Sequence, residues 1–151
     1  MRRILFVCFG NICRSPMAEF IMKDLVFKMG LQNEFHIESR GTSAEELGNP
    51  VYPPARAELQ KHGISCEGKT AQRLCAEDYE TFDLLIGMDS MNRHAMKRMT
   101  GGDPQGKVHR MTEHTPRGDV ADPWFTRRFD IAYRDIREGC EAWLEALTEE
   151  E

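Results

Sequence analysis

Cys8 and Arg14 stand six residues apart, with Gly10 and Asn11 between them and Ser15 directly after the arginine. A cysteine can supply a sulfur nucleophile. A guanidinium can hold two oxygens of a tetrahedral anion in its planar fork, which a lysine cannot reproduce. Gly10 and Asn11 permit the tight or left-handed turns that let successive backbone N–H groups point inward. The stretch Cys8-Phe9-Gly10-Asn11-Ile12-Cys13-Arg14-Ser15 is therefore expected to cradle phosphate or a similar oxyanion, with the Cys8 thiolate stabilised by the same donors. Charge in a phosphoryl-transfer transition state spreads over the oxygens such a cradle would hold. Ser15 can give its hydroxyl to the sulfur and help it leave in a second step. A cysteine and an arginine at this separation often arise by chance, so the reading depends on what flanks them.

Cleaving a phosphate ester also needs a proton for the departing oxygen, and one carboxyl group can give that proton and later activate water. Asp122, before Pro123, is the candidate. Local sequence ranks it only slightly above Asp119 or Asp103, because Asp-Pro is a common turn.

The elements that must position these groups are legible in the hydrophobic pattern. Residues 3 to 8 are mostly apolar without alternation, as in a parallel strand buried on both faces. After Ser15-Pro16, Met17, Ile21, Leu25 and Met29 recur at helical spacing with Ala18, Met22 and Val26, and Gly30 stops the run. The loop thus lies between a strand end and a helix N-terminus, where the helix dipole favours an anion. Phe35 to Gly41 reads as a second strand, residues 41 to 54 as an irregular surface loop, and Pro54 to His62 as a helix. Asp83 to Asp89 reads as a further buried strand, with Ser90 expected to cap a helix to about Met99. Val108 to Met111 reads as a short last strand. Phe129, Ala132, Tyr133, Ile136, Cys140, Trp143, Leu144 and Leu147 trace one stripe of a long C-terminal helix, before an acidic run at the last three residues. Alternating strands and helices imply an α/β sandwich around a parallel sheet.

At Cys8-x-Gly10-Asn11-Ile12-Cys13-Arg14-Ser15-Pro16 the chain closely resembles the low-molecular-weight protein tyrosine phosphatase family. Ser39, Gly48-Asn49-Pro50, His62-Gly63-Ile64, Met88-Asp89 and Asp122-Pro123 follow in the family's order, so the resemblance spans essentially the whole chain. It implies a three-layer α/β fold with a four-stranded parallel sheet flanked by helices. It also implies phosphotyrosine hydrolysis through a cysteinyl-phosphate on Cys8, clamped by Arg14, with Asp122 as general acid and Ser39 supporting the loop through Asn11. Phe9, Glu45, Trp124 and Phe125 would wall the substrate pocket. Where relatives carry Asp-Pro-Tyr-Tyr, this chain has Asp122-Pro123-Trp124-Phe125, which keeps two flat walls and loses both phenols. Glu45 lies near a usual aromatic and would disfavour acidic peptides, and Lys69 aligns with a histidine tied to the loop's hydrogen bonds. A threonine replaces Ile12 in relatives that act on phosphoarginine, so isoleucine favours phosphotyrosine. Cys13 is a candidate redox partner for Cys8.

Length and composition bound the rest. The 151 residues suit one domain over the whole chain. A net charge of −5 gives no broad field for polyanions, so nucleic acid is not an expected partner. No stretch approaches the roughly 20 apolar residues of a membrane span, and the short apolar N-terminus lacks the form of an export signal, so a cytoplasmic protein is expected. The five cysteines form an odd set without zinc-site spacing, which predicts reduced thiols, no metal and no cofactor, with Cys66, Cys75 and Cys140 structural. The histidines lack metal-motif spacing, and Lys97 and Arg98 read as a solvated helix face. Two rivals remain. An arsenate reductase would need two more redox cysteines close together, a relay that Cys66 and Cys75 do not suggest. A non-catalytic phosphate-binding or redox-sensing module would be favoured had Asp122 been lost.

Overall fold

Strand β1, Arg2–Cys8, buries Ile4, Leu5, Phe6 and Val7 completely. Successive strand side chains point to opposite faces, so a strand with no polar alternation needs cover on both. Ile4, Phe6 and Cys8 join one apolar cluster while Leu5 and Val7 join a second. The computed structural model describes residues 1 to 149; of the acidic final run, Glu150 and Glu151 lie outside the described residues.

Helix α1, Arg14–Lys28, returns the chain to β2, Phe35–Gly41, which pairs parallel with β1 from Arg2↔Phe35 to Cys8↔Gly41. Helices α2, Pro53–Lys61, and α3, Ala76–Thr81, precede β3, Leu84–Gly87. Helix α4, Ser90–Met99, leads to β4, Val108–Arg110. A single turn, α5, Pro123–Thr126, and the long α6, Phe129–Glu149, complete the described chain. The sheet order is β2-β1-β3-β4 and every pairing is parallel. Helices α1, α2 and α6 contribute to the cluster on one face, and Tyr79 of α3 and Met96 of α4 to the cluster on the other. This is the three-layer α/β architecture expected from the resemblance.

The order also locates a site. From β1 the chain moves to β2 on one side and later resumes at β3 on the other, so the carboxyl end of β1 faces the crevice where such sheets bind ligands. Gly41 lets β2 approach the loop there, because a Cβ at that position would meet the Phe9 carbonyl oxygen at 2.7 Å.

Two expectations need correction. The N-cap of α4 is Asp89, not Ser90: its carboxylate accepts from Asn92 N at 2.7 Å, and a carboxylate suits a helix N-terminus better than a hydroxyl. Met29 is 55% exposed as the C-cap of α1 rather than part of its buried stripe. Cys75, though exposed, is the N-cap of α3 and its N–H donates to Asp78 Oδ2 at 3.0 Å, while Cys66 and Cys140 are buried, so all three sit in structural places. The sequence reading passed over α3 and α5, which are six and four residues long. Neither is long enough to show an apolar period.

Candidate active site

The loop after β1 turns its carbonyls outward. Thr42 N donates to Cys8 O at 2.9 Å, Ser43 N to Phe9 O at 3.0 Å, Tyr52 N to Ile12 O at 2.9 Å and Met17 N to Cys13 O at 3.1 Å. None of the N–H groups of residues 9 to 15 donates to an acceptor among the described residues. Buried backbone donors are nearly always paired, so a run of unspent ones around a single point is a built anion site. Asn11 makes the turn at φ 59°, a conformation asparagine tolerates better than most residues.

Cys8 lies in this cradle, 3% exposed, with Sγ 3.0 Å from Ser15 Oγ. Asn11 Nδ2 donates to Ser15 Oγ at 2.8 Å and to Ser39 Oγ at 3.0 Å, and its Oδ1 accepts from Gln72 N at 3.0 Å. Both amide protons and the amide oxygen are thereby used, which fixes the side chain's orientation. Ser39 Oγ in turn donates to Glu19 Oε1 at 2.6 Å. Lys69 Nζ sits 3.2 Å from Glu19 Oε1 and donates to Ser39 O at 3.0 Å, so Lys69 joins this network through a cation. Burial lowers the Lys69 pKa, with Glu19 pulling against it.

Arg14, the first residue of α1, is 2% exposed. Its Nη1 donates to Asp89 Oδ2 at 2.7 Å and to Val120 O at 2.8 Å, and its Nη2 lies 3.4 Å from Asp122 Oδ2. Of five guanidinium protons this leaves Nε–H and one on Nη2 for an anion. Burial works against the charge on Arg14, but Cys8, Asp122 and Asp89 outweigh it and hold the pKa above its ordinary value. Asp122 caps the turn α5, accepting from Trp124 N at 3.0 Å through Oδ1.

These groups line a cavity of about 220 Å³ together with Phe9, Gly10, Ile12, Cys13, Glu45, Glu46, Trp124 and Phe125. Phe9, Trp124 and Phe125 are 50%, 45% and 80% exposed, so they are walls of an open mouth rather than core. The Tyr52 ring stands behind Trp124 at 4.9 Å, and Arg127 Nη2 donates to Tyr52 Oη at 3.1 Å. Cys13 caps α1 and lines the same cavity. Burial, then the charges of Cys8 and Asp122, push its thiol up to about 12. Neither Cys66 nor Cys75 lines the cavity.

Every residue expected at the site thus gathers at one place, except Ser39, which acts from behind through Asn11. The sequence reading missed Asp89, Glu19 and Glu46. Asp89 had a usable signal: an acidic residue between a buried strand and a helix, at the carboxyl end of the sheet, can cap and reach the neighbouring loop together. Among the described residues, no three His, Cys, Asp or Glu side chains are placed to hold a metal ion, and no helix is long and apolar enough to cross a membrane.

The chain's likeness to known proteins agrees with this geometry. The family model described as low molecular weight phosphotyrosine protein phosphatase matches residues 3–151. The low molecular weight protein-tyrosine-phosphatase YfkJ of Bacillus subtilis is 35% identical over 99% of this chain and 98% of its own. Its crystal structure superposes with a TM-score of 0.96, covering 100% of this chain and 97% of that one. The low molecular weight protein tyrosine phosphatase SP-PTP from Streptococcus pyogenes is 40% identical, covers 97% and 93% of the two chains, and has a TM-score of 0.89. A drosophila arginine phosphatase, DARP, is 30% identical with a TM-score of 0.89 over 97% and 98%.

Proposed function

This chain belongs to the low molecular weight phosphotyrosine protein phosphatase family, and we propose that it hydrolyses phosphotyrosine in proteins through Cys8, Arg14 and Asp122 within one catalytic domain. The observation that carries the residue roles is the loop's donor arithmetic. A run of unpaired N–H groups and two guanidinium protons surround a buried sulfur.

The Cys8 thiolate attacks phosphorus while the Asp122 carboxylic acid protonates the departing phenolic oxygen, giving tyrosine and a cysteinyl phosphate. The Asp122 carboxylate then takes a proton from water, which attacks the same phosphorus and releases inorganic phosphate and the thiolate. Ser15 stabilises that thiolate by hydrogen bonding from 3.0 Å. Arg14 follows the equatorial oxygens through both steps, aimed by Asp89 and Val120 O. Ile12 presents an apolar side chain to the cavity and offers no acceptor for a guanidino N–H, which favours an aryl phosphate over phosphoarginine. A reducing compartment such as the cytoplasm keeps Cys8 available.

The chain should turn over p-nitrophenyl phosphate with EDTA present. Cys8→Ser should remove turnover yet still bind vanadate or phosphate. Retained turnover in Cys8→Ser, or loss with EDTA, would sink the mechanism.

Cys13 lines the same cavity as Cys8 and is the candidate partner for it under oxidation. Peroxide converts the Cys8 thiolate to a sulfenic acid, and condensation with the Cys13 thiol releases water and forms a disulfide. Activity lost to peroxide should return with dithiothreitol, and in Cys13→Ala excess peroxide should carry the sulfenic acid on to the sulfinic acid, which dithiothreitol does not reverse.

A further inference from the structure

Phe9 is shared by two cavities. On one side it walls the phosphate pocket, whose rim carries Glu45 and Glu46. On the other it borders an open groove of about 630 Å³, whose lining includes Thr42, Arg73, Met91, His94 and Arg98. No carboxylate lines this second groove. Two acids beside its lining residue Ser90 are already engaged: Asp89 holds Arg14, and Asp119 accepts from the Ser90 hydroxyl at 2.5 Å. The Arg98 guanidinium has no ion pair or hydrogen bond among the described residues, and the Arg73 guanidinium spends only its Nε, on Thr42 O at 3.3 Å. Met91 is 82% exposed beside them, an adaptable apolar contact next to Phe9, Ala95 and Met99 of the same lining.

We propose that this groove binds the acidic flank of a phosphotyrosine peptide, so that the substrate crosses Phe9 with its negatively charged residues toward Arg73 and Arg98. The proposal rests on the phosphatase reading above and adds a direction to it. Two arginines without a carboxylate partner line the groove on one side of Phe9 and two glutamates line the pocket on the other, so the enzyme reads charge by flank rather than by total. That separates it from a bulk effect, because a net charge of −5 alone would disfavour acids everywhere on a peptide. The groove's floor is also tied to the catalytic strand: Thr42, which accepts from Arg73, donates from its own N–H to Cys8 O. A peptide side chain held there is registered to the sulfur through one residue.

The test compares phosphotyrosine peptides with two glutamates before the phosphotyrosine, two after it, or none. At low ionic strength, glutamates on one flank should raise kcat/KM about three- to tenfold over the neutral peptide, and on the other flank should lower it. The asymmetry should fade toward molar salt. Arg98→Glu, on an exposed helix face, should bring the ratio of acidic-flank to neutral kcat/KM to one or below. Arg98→Gln and Arg73→Gln should each bring it part of the way. Equal effects on both flanks, or a ratio that survives Arg98→Glu, would overturn the groove while leaving the phosphatase intact. No turnover of any peptide or of p-nitrophenyl phosphate would remove the phosphatase reading and the groove with it.

Discussion

The two ends of the sheet treat hydrogen-bonding capacity in opposite ways. At the carboxyl end, the loop keeps the N–H groups of residues 9 to 15 unspent although the carbonyls of Cys8, Phe9, Ile12 and Cys13 are engaged. At the amino end, Asp103 before β4 spends its carboxylate on the protein itself. Its Oδ1 accepts from Tyr79 Oη at 2.7 Å and Lys107 N at 2.8 Å, and its Oδ2 from Val108 N at 3.1 Å. Both ends use residues with positive φ, Asn11 at 59° and Asp103 at 57°. Strain and polarity therefore do not distinguish a binding site from a structural knot, but the balance of donors left over does. A surplus is tolerable at one end because an incoming anion can satisfy it.

Breaking the surplus should have the largest effect. Arg14→Lys keeps the charge but removes the fork, and about a 10³-fold loss in kcat/KM for aryl phosphates is expected. A loss under tenfold would mean that charge alone suffices and the geometry of the clamp is incidental. Asp122→Ala should cost about 10²-fold with poorly departing phenols and much less with p-nitrophenol, which leaves without a proton. Equal losses across the series would take the acid role away from Asp122. Ser39→Ala leaves one Asn11 amide proton without its acceptor and takes a donor from Glu19, so about a five- to tenfold loss in kcat/KM is expected by loosening the loop. A KM rise with kcat held would point instead to lost phosphate affinity alone.

Much of the catalytic end was legible before any coordinates. Cys8, Arg14 and Ser15 sit within one short segment, and local sequence carries local geometry well. Two-sided burial of β1 followed from its missing polar alternation, and the α6 stripe from its helical period. Asp122 was less legible, since its approach to Arg14 spans 108 residues and only the family resemblance chose it over Asp103 and Asp119. Asp89 and Glu19 were missed because each works across elements, Asp89 from the end of β3 and Glu19 from within α1. The knot at Asp103 was illegible for the same reason: Tyr79 reaches it from α3, a helix too short to leave a periodic trace.

The same comparison predicts where a change should leave catalysis alone. Burial pushes the Asp103 pKa up, but the hydrogen bonds from Tyr79, Lys107 N and Val108 N outweigh it and hold the carboxyl below the usual aspartate value. A group depressed in this way contributes stability above its unfolded pKa of about 3.9, and that contribution drains away as pH falls through the lower folded value. Asp103→Asn keeps a residue that accepts positive φ, so the turn itself is not strained. It does replace one acceptor by a donor, facing backbone N–H groups that have lost their partner. Because the carboxylate is partly solvated, the expected cost is about 1 kcal/mol at neutral pH, the low end for charged hydrogen bonds. Urea unfolding should show this gap holding from pH 7 to about 5, then closing as both proteins are taken below pH 3. The variant's kcat/KM for p-nitrophenyl phosphate should match the parent's, since Asp103 lies at the opposite end of the strands from Cys8. A gap that widened in acid would reverse the sign assigned to the knot, and a change in rate would show that the two ends are coupled through the sheet.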